Sequence, residues 1–311
     1  MHSRLIGTGG YLPKKQISNA ELAIEKNIDT TDEWIFARTG IVKRHICEPE
    51  ETSLDMAYHA AKEAIAKANI NKDSIDLIIF STCTPSGVMP SDACKLQNML
   101  NLNSNAIAFD LNAACSGFVY GMITANNFIK ANQAKCALIV GSDKMTSLLD
   151  WQDRSTCVLF GDGAGAAILK ADTYPGVLNS VIGADGKKQE LLYTAAGTNY
   201  INMCGQEVFK HAVKKLDALV TDIISPVGLN NNDIDWFVPH QANIRIIKST
   251  AKMLKMPLER VVQTVGEHAN TSAASIPLAL NSIFDKLSPG EHILIEAFGS
   301  GFTWGGLVLK F

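Results

Sequence analysis

The sequence predicts an α/β fold made of two similar halves. Short apolar runs with strand character alternate with longer segments of helical spacing through most of the chain. An ordered set of motifs occurs twice. At 311 residues there is enough chain to bury a large core, as one big domain or as two fused ones.

Taken in order, residues 54–68 have the spacing of an amphipathic helix and lead into the apolar strand 77–82. A helix over 91–100 then precedes a strand over 106–111. A tight turn follows, and a helix over 116–131 returns to a strand at 137–141. Residues 164–170 form the last strand of this half. The second half repeats the logic, with helices over 207–224, 243–254 and 273–286 and strands over 236–239, 292–297 and 306–311.

The repeat is visible in the letters. Asp73-Ser74-Ile75-Asp76-Leu77-Ile78-Ile79-Phe80 is answered by Asn232-Asp233-Ile234-Asp235-Trp236-Phe237-Val238-Pro239. A loop and a helix ending in Met-Leu follow each (Met99-Leu100, Met253-Leu254). Ala137-Leu138-Ile139-Val140-Gly141 is answered by Ile293-Leu294-Ile295-Glu296-Ala297, and glycine-rich closing hairpins are expected at 160–165 and 298–302. The halves are therefore 1–170 and 171–311, and a site is expected in the crevice between them. Gly161-Asp162-Gly163-Ala164-Gly165 lacks the spacing of a dinucleotide loop and precedes a short strand, so it reads as a tight β-turn.

Composition narrows the class. With 47% hydrophobic and 19% charged residues the chain is an ordinary globular protein. A net charge of −3 provides no general attraction to nucleic acid or to an anionic membrane. Seven scattered cysteines without CxxC pairs argue against a disulfide framework or a zinc ribbon and fit a reducing cytoplasm. The N-terminus runs directly into strand-like sequence, and no apolar run reaches membrane-spanning length, so a cytosolic protein is expected.

Cys115 is the candidate nucleophile. It lies in Phe109-Asp110-Leu111-Asn112-Ala113-Ala114-Cys115-Ser116-Gly117-Phe118, where a strand turns through small residues into a helix. A thiol at a helix N-terminus meets free N–H groups and the positive end of the dipole, which favour thiolate. Cys83, Cys136 and Cys157 lie in apolar runs that read as strands or their edges and are taken as packing residues, while Cys47, Cys94 and Cys204 have no chemical company. His240 follows a strand directly in Phe237-Val238-Pro239-His240-Gln241-Ala242-Asn243 and is the candidate partner, with His268 its competitor. Asn270, in Glu267-His268-Ala269-Asn270-Thr271-Ser272-Ala273-Ala274-Ser275, mirrors the Cys115 elbow and doubles as a helix cap.

These three blocks, Asn112 to Gly117, Val238 to Asn243 and Asn270 to Ser275, resemble the active-site blocks of the β-ketoacyl-ACP synthase III family. The resemblance continues through Trp34-Ile35-Phe36-Ala37-Arg38-Thr39-Gly40-Ile41, Asp153-Arg154-Ser155-Thr156, Phe160 to Gly165 and Glu296 to Gly305. It spans essentially the whole chain in order. It implies the thiolase fold, a five-layer α-β-α-β-α core of two pseudo-symmetric halves. Elongating ketoacyl synthases use Cys-His-His, and thiolases place a second cysteine near the C-terminus, where this chain has Gly299-Ser300-Gly301.

The resemblance further implies a ping-pong reaction. Cys115 takes an acyl group, usually acetyl, from an acyl-CoA primer, with the backbone N–H groups of Cys115 and Ser300 as the oxyanion hole. Malonyl-ACP then loses CO2, and His240 and Asn270 face the enolate. Trp34, Arg38 and Arg154 are implied contacts of the nucleotide end of CoA, with Asn243 and Gln206 along the pantetheine arm. Lys210 and Arg245 are implied docking residues for the acyl carrier protein. Met89, supplied by the second subunit of a homodimer, is the implied limit of the primer pocket. The CoA thioester is a substrate, and neither a cofactor nor a metal is implied. Three departures stand out: Ala269 and Ser300 occupy positions where the family usually has glycine, and Gln206 stands where asparagine is common. A related condensing enzyme of secondary metabolism is the alternative reading. A non-catalytic thiolase-fold subunit disagrees with the presence of all three catalytic residues, and a metal-dependent hydrolase with the absence of HExxH-like spacing.

Overall fold

Alternating residues in the two main sheets face different apolar layers, so both sheets are covered on both sides. The computed structural model describes residues 1–311. The first sheet is built from β1 (His2–Tyr11), β2 (Leu77–Ser81), β3 (Ile107–Leu111), β4 (Cys136–Lys144) and β5 (Asp162–Asp172), in the order β1-β5-β4-β2-β3. Strands β3, β2 and β4 are parallel, while β5 and β1 are antiparallel to their neighbours. The second sheet contains β6 (Val177–Ala184), β7 (Trp236–Pro239), β8 (His292–Gly299) and β9 (Thr303–Lys310), in the order β7-β8-β9-β6. Its pairing matches the first: β7 and β8 are parallel, and β9 and β6 are antiparallel to their neighbours. A single parallel bridge, Phe237 with Val261, stands where a counterpart of β3 would lie.

Seven helices complete the layers that matter for the site: α1 (Asp32–Thr39), α2 (Ser53–Ala68), α3 (Asp92–Met99), α4 (Gly117–Lys130), α5 (Gly205–Ile224), α6 (Ile244–Met253) and α7 (Ser275–Ile283). Helices α2 and α3 cover the outer face of the first sheet, α5 and α6 flank the second, and α4 and α7 pack between the two sheets. The result is the five-layer order α-β-α-β-α. Leu77 and Ile79 enter the central core with Ile293 and Ile295, whereas Ile78 and Phe80 join the outer core under α2. On the opposite side, Leu294 and Val308 pack under α5. Fully burying each such side chain contributes about 1.5–3 kcal/mol.

Two local expectations are corrected. Gly163 and Gly165 belong to β5, which already begins at Asp162, and not to a turn or hairpin. A Cβ on Gly165 would fall 2.7 Å from Pro277 of α7, so glycine is required by the close approach of the central helix. Cys157 is buried in a turn and not in a strand.

Candidate active site

The carboxyl ends of the parallel strands meet the N-termini of α4 and α7. After β3, Asn112 Oδ1 accepts the Ala114 N–H at 3.1 Å, and Ala114 adopts a left-handed φ of 47°. A short 3-10 turn, Ala114–Ser116, then carries Cys115 to the start of α4. The hairpin between β8 and β9 closes over this elbow. Thr303 Oγ1 donates to the Ala113 carbonyl at 2.9 Å, and Ser116 Oγ donates to the Thr303 carbonyl at 3.2 Å. A Cβ on Gly299 would lie only 2.9 Å from the Cys115 nitrogen, so the absent side chain brings the 299–301 loop against that N–H.

The second elbow is built in the same way. Asn270 donates its backbone N–H to the Leu159 carbonyl and accepts the Gly161 N–H, and a 3-10 turn, Ser272–Ala274, leads into α7. Asn270 Oδ1 accepts the Ser272 N–H at 2.9 Å. That bond orients the carboxamide and leaves its NH2 as the free donor. Ala269, just before it, has φ 58° and ψ −161°, a region that only glycine adopts without strain.

His240 follows β7 and is almost fully buried, as is Asn270. Its backbone N–H donates to the Glu296 carbonyl at 2.8 Å. Its Nδ1 lies 2.6 Å from Ser275 Oγ, which also accepts the Gln241 N–H at 3.3 Å. Ser275 Oγ has no other acceptor within reach, so its hydroxyl proton points at Nδ1. The imidazole proton is then on Nε2, facing the cavity. Burial lowers the His240 pKa to about 4, so the ring is neutral at physiological pH.

One cavity of about 580 Å³ brings Cys115, His240 and Asn270 together with Trp34, Arg38, Gln206, Asn243 and Arg245. At its mouth two guanidinium groups approach the Trp34 indole, Arg38 at 4.2 Å and Arg154 at 5.2 Å from the ring centroid. Arg154 is on the rim, where it donates to the Asp29 carbonyl. Asn243 is committed to local bonds: Oδ1 caps α6 through the Arg245 N–H, and Nδ2 donates to the Arg38 carbonyl. Arg245 stacks on Phe209 at 5.3 Å. Lys210 lines no part of the cavity and reaches only Glu207, at 4.0 Å. A second cavity, about 720 Å³, begins on the other side of Cys115 and is lined by Cys83, Ser272 and Ser300 among others. Ser300 Oγ donates to the Leu192 carbonyl. Met89, 82% exposed, lines neither cavity of its own chain.

The electrostatics oppose one sequence expectation. Burial pushes the Cys115 thiol up to about 11; the Ser272 hydroxyl and Cys115's own N–H pull the other way, and Asp143 adds to the rise. Desolvation works against the thiolate that the helix N-terminus favours. Cys83, read from sequence as a packing residue, instead flanks the nucleophile. Its Sγ is 3.9 Å from Ser272 Oγ and donates to Asp143 at 3.3 Å. Glu296 also escaped the sequence reading. It is fully buried at the first cavity with neither carboxylate oxygen hydrogen-bonded, and burial raises its pKa well above normal. Burial thus favours the protonated carboxyl. The available signal was position: Glu296 lies in the C-terminal half of β8, and the carboxyl ends of parallel strands face the crevice of an α/β sheet.

Cysteine, histidine and asparagine, delivered by two similar sheets to one deep cavity, define a thiolase-fold condensing enzyme. Residues 109–186 match the family described as 3-oxoacyl-[acyl-carrier-protein (ACP)] synthase III, and residues 224–311 match its C-terminal region. The β-ketoacyl-[acyl-carrier-protein] synthase III of Xanthomonas axonopodis pv. citri is 47% identical, across 100% of this chain and 99% of that one. The crystal structure of 3-oxoacyl-[acyl-carrier-protein] synthase III from Aquifex aeolicus superposes with a TM-score of 0.95 at 43% identity, covering 99% of this chain and 100% of that one. The Pseudomonas aeruginosa enzyme superposes with a TM-score of 0.94 at 40% identity, covering 100% and 98%. The chain belongs to the β-ketoacyl-ACP synthase III family. It is an acyl-transferring condensing enzyme that initiates fatty acid synthesis.

Proposed function

We propose that the chain condenses an acyl-CoA primer, acetyl-CoA in the first instance, with malonyl-ACP to give 3-oxoacyl-ACP, CoA and CO2. The observation that carries this reading is the position of Cys115 at the junction of two cavities, with His240 and Asn270 in the first. Cys115 Sγ attacks the thioester, its proton leaves with the CoA thiol, and the N–H groups of Cys115 and Ser300 hold the oxyanion. The acyl group then occupies the second cavity. Loss of CO2 from malonyl-ACP leaves an enolate whose oxygen accepts from His240 Nε2 and from the Asn270 NH2. The enolate carbon attacks the acyl-Cys115 carbonyl, and the Cys115 sulfur leaves as a thiolate that takes a proton from solvent. A neutral imidazole with its proton on Nε2 suits this donor role. The scheme needs no metal or resident cofactor.

In this reading Trp34 stacks on the adenine, while Arg38 and Arg154 pair with the phosphates. Asn243 and Gln206 line the pantetheine path; the Asn243 amide is already bonded within the protein, so its part is to shape the wall. Arg245 and Lys210, with exposed Lys214 and Lys248 on the same two helices, face an acidic carrier protein. Val88 and Met89 are 94% and 82% exposed at a loop tip, as expected of apolar residues that a second copy covers. A homodimer in which Met89 limits the partner's primer cavity follows. The halves 1–170 and 171–311 act as fused copies of one unit. Seven free cysteines support a reducing, cytoplasmic setting.

Intact-protein mass spectrometry after incubation with acetyl-CoA tests the covalent step, with Cys115→Ala alongside. One acetyl group on the wild type only is expected. Failure of wild type to gain an acyl group from acetyl-CoA or from a panel of longer and aromatic acyl-CoAs would overturn the reading. His240→Ala or Asn270→Ala should slow condensation ~100–1,000-fold and leave self-acylation partly intact.

A further inference from the structure

Asp143, next to last in β4, is fully buried, and its carboxylate gathers donors from both sides of the site. Oδ1 accepts from Thr82 Oγ1 at 3.0 Å, the Cys83 N–H at 2.8 Å, Cys83 Sγ at 3.3 Å and Thr84 Oγ1 at 3.1 Å. Oδ2 accepts the Ala273 N–H at 3.0 Å. The first four donors belong to the loop after β2, the wall behind Cys115. The fifth belongs to the turn that carries Asn270. Nearby, β4 presses on the same turn so closely that a Cβ on Gly141 would fall 2.3 Å from the Ala273 carbonyl. The adjacent Lys144 does not neutralise Asp143, because its Nζ donates to the carbonyls of Glu48, Pro49 and Glu51.

We infer that Asp143 is a positioning residue that holds the nucleophile wall and the Asn270 turn in one frame. The inference rests on the condensing reaction proposed above. An ionised carboxylate has about four lone-pair sites and no donor, and here five donors converge on it. An amide of the same shape cannot serve both sides. If its oxygen keeps the donors at 82–84, its NH2 confronts the Ala273 N–H and releases the Asn270 turn. Loss of 1 Å in placement at a reacting centre costs about 100-fold in rate.

The charge of Asp143 supplies a readout that a purely structural role does not move. The groups around the Cys115 thiol are Asp143 on β4, Cys83 after β2, the neutral Ser272 hydroxyl and, in the first cavity, neutral His240 and the buried Glu296 carboxyl. Lys144 lines the second cavity with its ammonium held by the three carbonyls. Replacing the carboxylate by an amide removes a negative charge that opposes thiolate. Removing one of its donors instead leaves that charge less quenched.

The experiment compares full-length wild type, Asp143→Asn and Thr84→Val. Self-acylation by acetyl-CoA and condensation of the pre-acylated enzyme with malonyl-ACP are measured separately. Iodoacetamide labelling of the Cys115 peptide is followed against pH. For Asp143→Asn, condensation should fall about 100-fold with acylation much less affected, and the labelling midpoint should move down by about one pH unit. For Thr84→Val the midpoint should move up. Equal losses in both steps, or midpoints that stay with wild type in both variants, would overturn the inference. Should Asp143→Asn not fold, the upward shift in Thr84→Val decides alone. Wild-type protein that neither acylates nor condenses would refute the proposed reaction and not the role of Asp143.

Discussion

Ala269→Gly should stabilise this protein, although removing a buried methyl group is ordinarily destabilising. Ala269 has φ 58° and ψ −161° and is completely buried in the core beneath α5 and α6. Holding a non-glycine residue there costs about 1–3 kcal/mol, taken as about 2. Against that relief stand the lost methyl burial, about 0.8 kcal/mol, and the extra freedom of glycine in the unfolded chain, about 0.7 kcal/mol. The net is a gain of about 0.5 kcal/mol. Ala279→Gly is the matched control, because Ala279 is equally buried but lies within α7. There the methyl and helix-propensity losses add to a cost of about 1.7 kcal/mol. Urea unfolding at one fixed protein concentration should therefore separate the two variants by about 2 kcal/mol, with unchanged m-values. If Ala269→Gly loses as much as Ala279→Gly, residue 269 is not strained and the reasoning fails. The elbow itself should survive, since Asn270 is held independently by Leu159 and Gly161.

Other outcomes follow from the same geometry. Cys115 labelling by iodoacetamide should climb about tenfold per pH unit toward a midpoint near 11, and Ser272→Ala should move that midpoint higher, because the hydroxyl favours thiolate. A plateau reached below pH 8 would show that the helix dipole outweighs burial. Ser275→Ala frees the His240 tautomer and should slow condensation about tenfold while sparing acylation; Ser275→Thr should restore most of the rate. Glu296 keeps its proton in the folded state above the pH at which the unfolded chain releases it. Wild-type stability therefore falls as pH rises beyond the unfolded carboxylate value, and Glu296→Gln removes that dependence. The melting-temperature advantage of Glu296→Gln should be larger at pH 8 than at pH 5, and an advantage independent of pH would contradict a protonated carboxyl.

The layers, and the residues that meet in the first cavity, were legible because they rest on local rules. Short continuous apolar runs marked the strands at 77 and 293, and small-residue elbows marked Cys115 and Asn270. What escaped was set by contacts distant in sequence. Cys83 looked like a packing thiol because Asp143 and Ser272, its neighbours at the site, lie 60 and 189 residues away. The glycines at 163 and 165 looked like a turn because their reason, the approach of Pro277 and Leu278, belongs to the other half. The desolvation that opposes a thiolate went unread for a related reason. A helix end can be read locally, but desolvation depends on how completely the second sheet's hairpin covers the first elbow.

That covering also explains how the departures from the family pattern are accommodated. Ser300 keeps its hydroxyl out of the reacting space by donating to Leu192, so its backbone N–H is free to serve where glycine would. Ala269 has no such outlet. Its methyl is buried and its torsions remain those of glycine, because the Asn270 backbone is pinned on both sides and the α7 turn begins two residues later. The elbow therefore dictates the backbone and the side chain at 269 bears the strain. The cost falls beside the Asn270 carboxamide, the donor proposed for the enolate, where a relaxed backbone would shift its distance to the reacting centre.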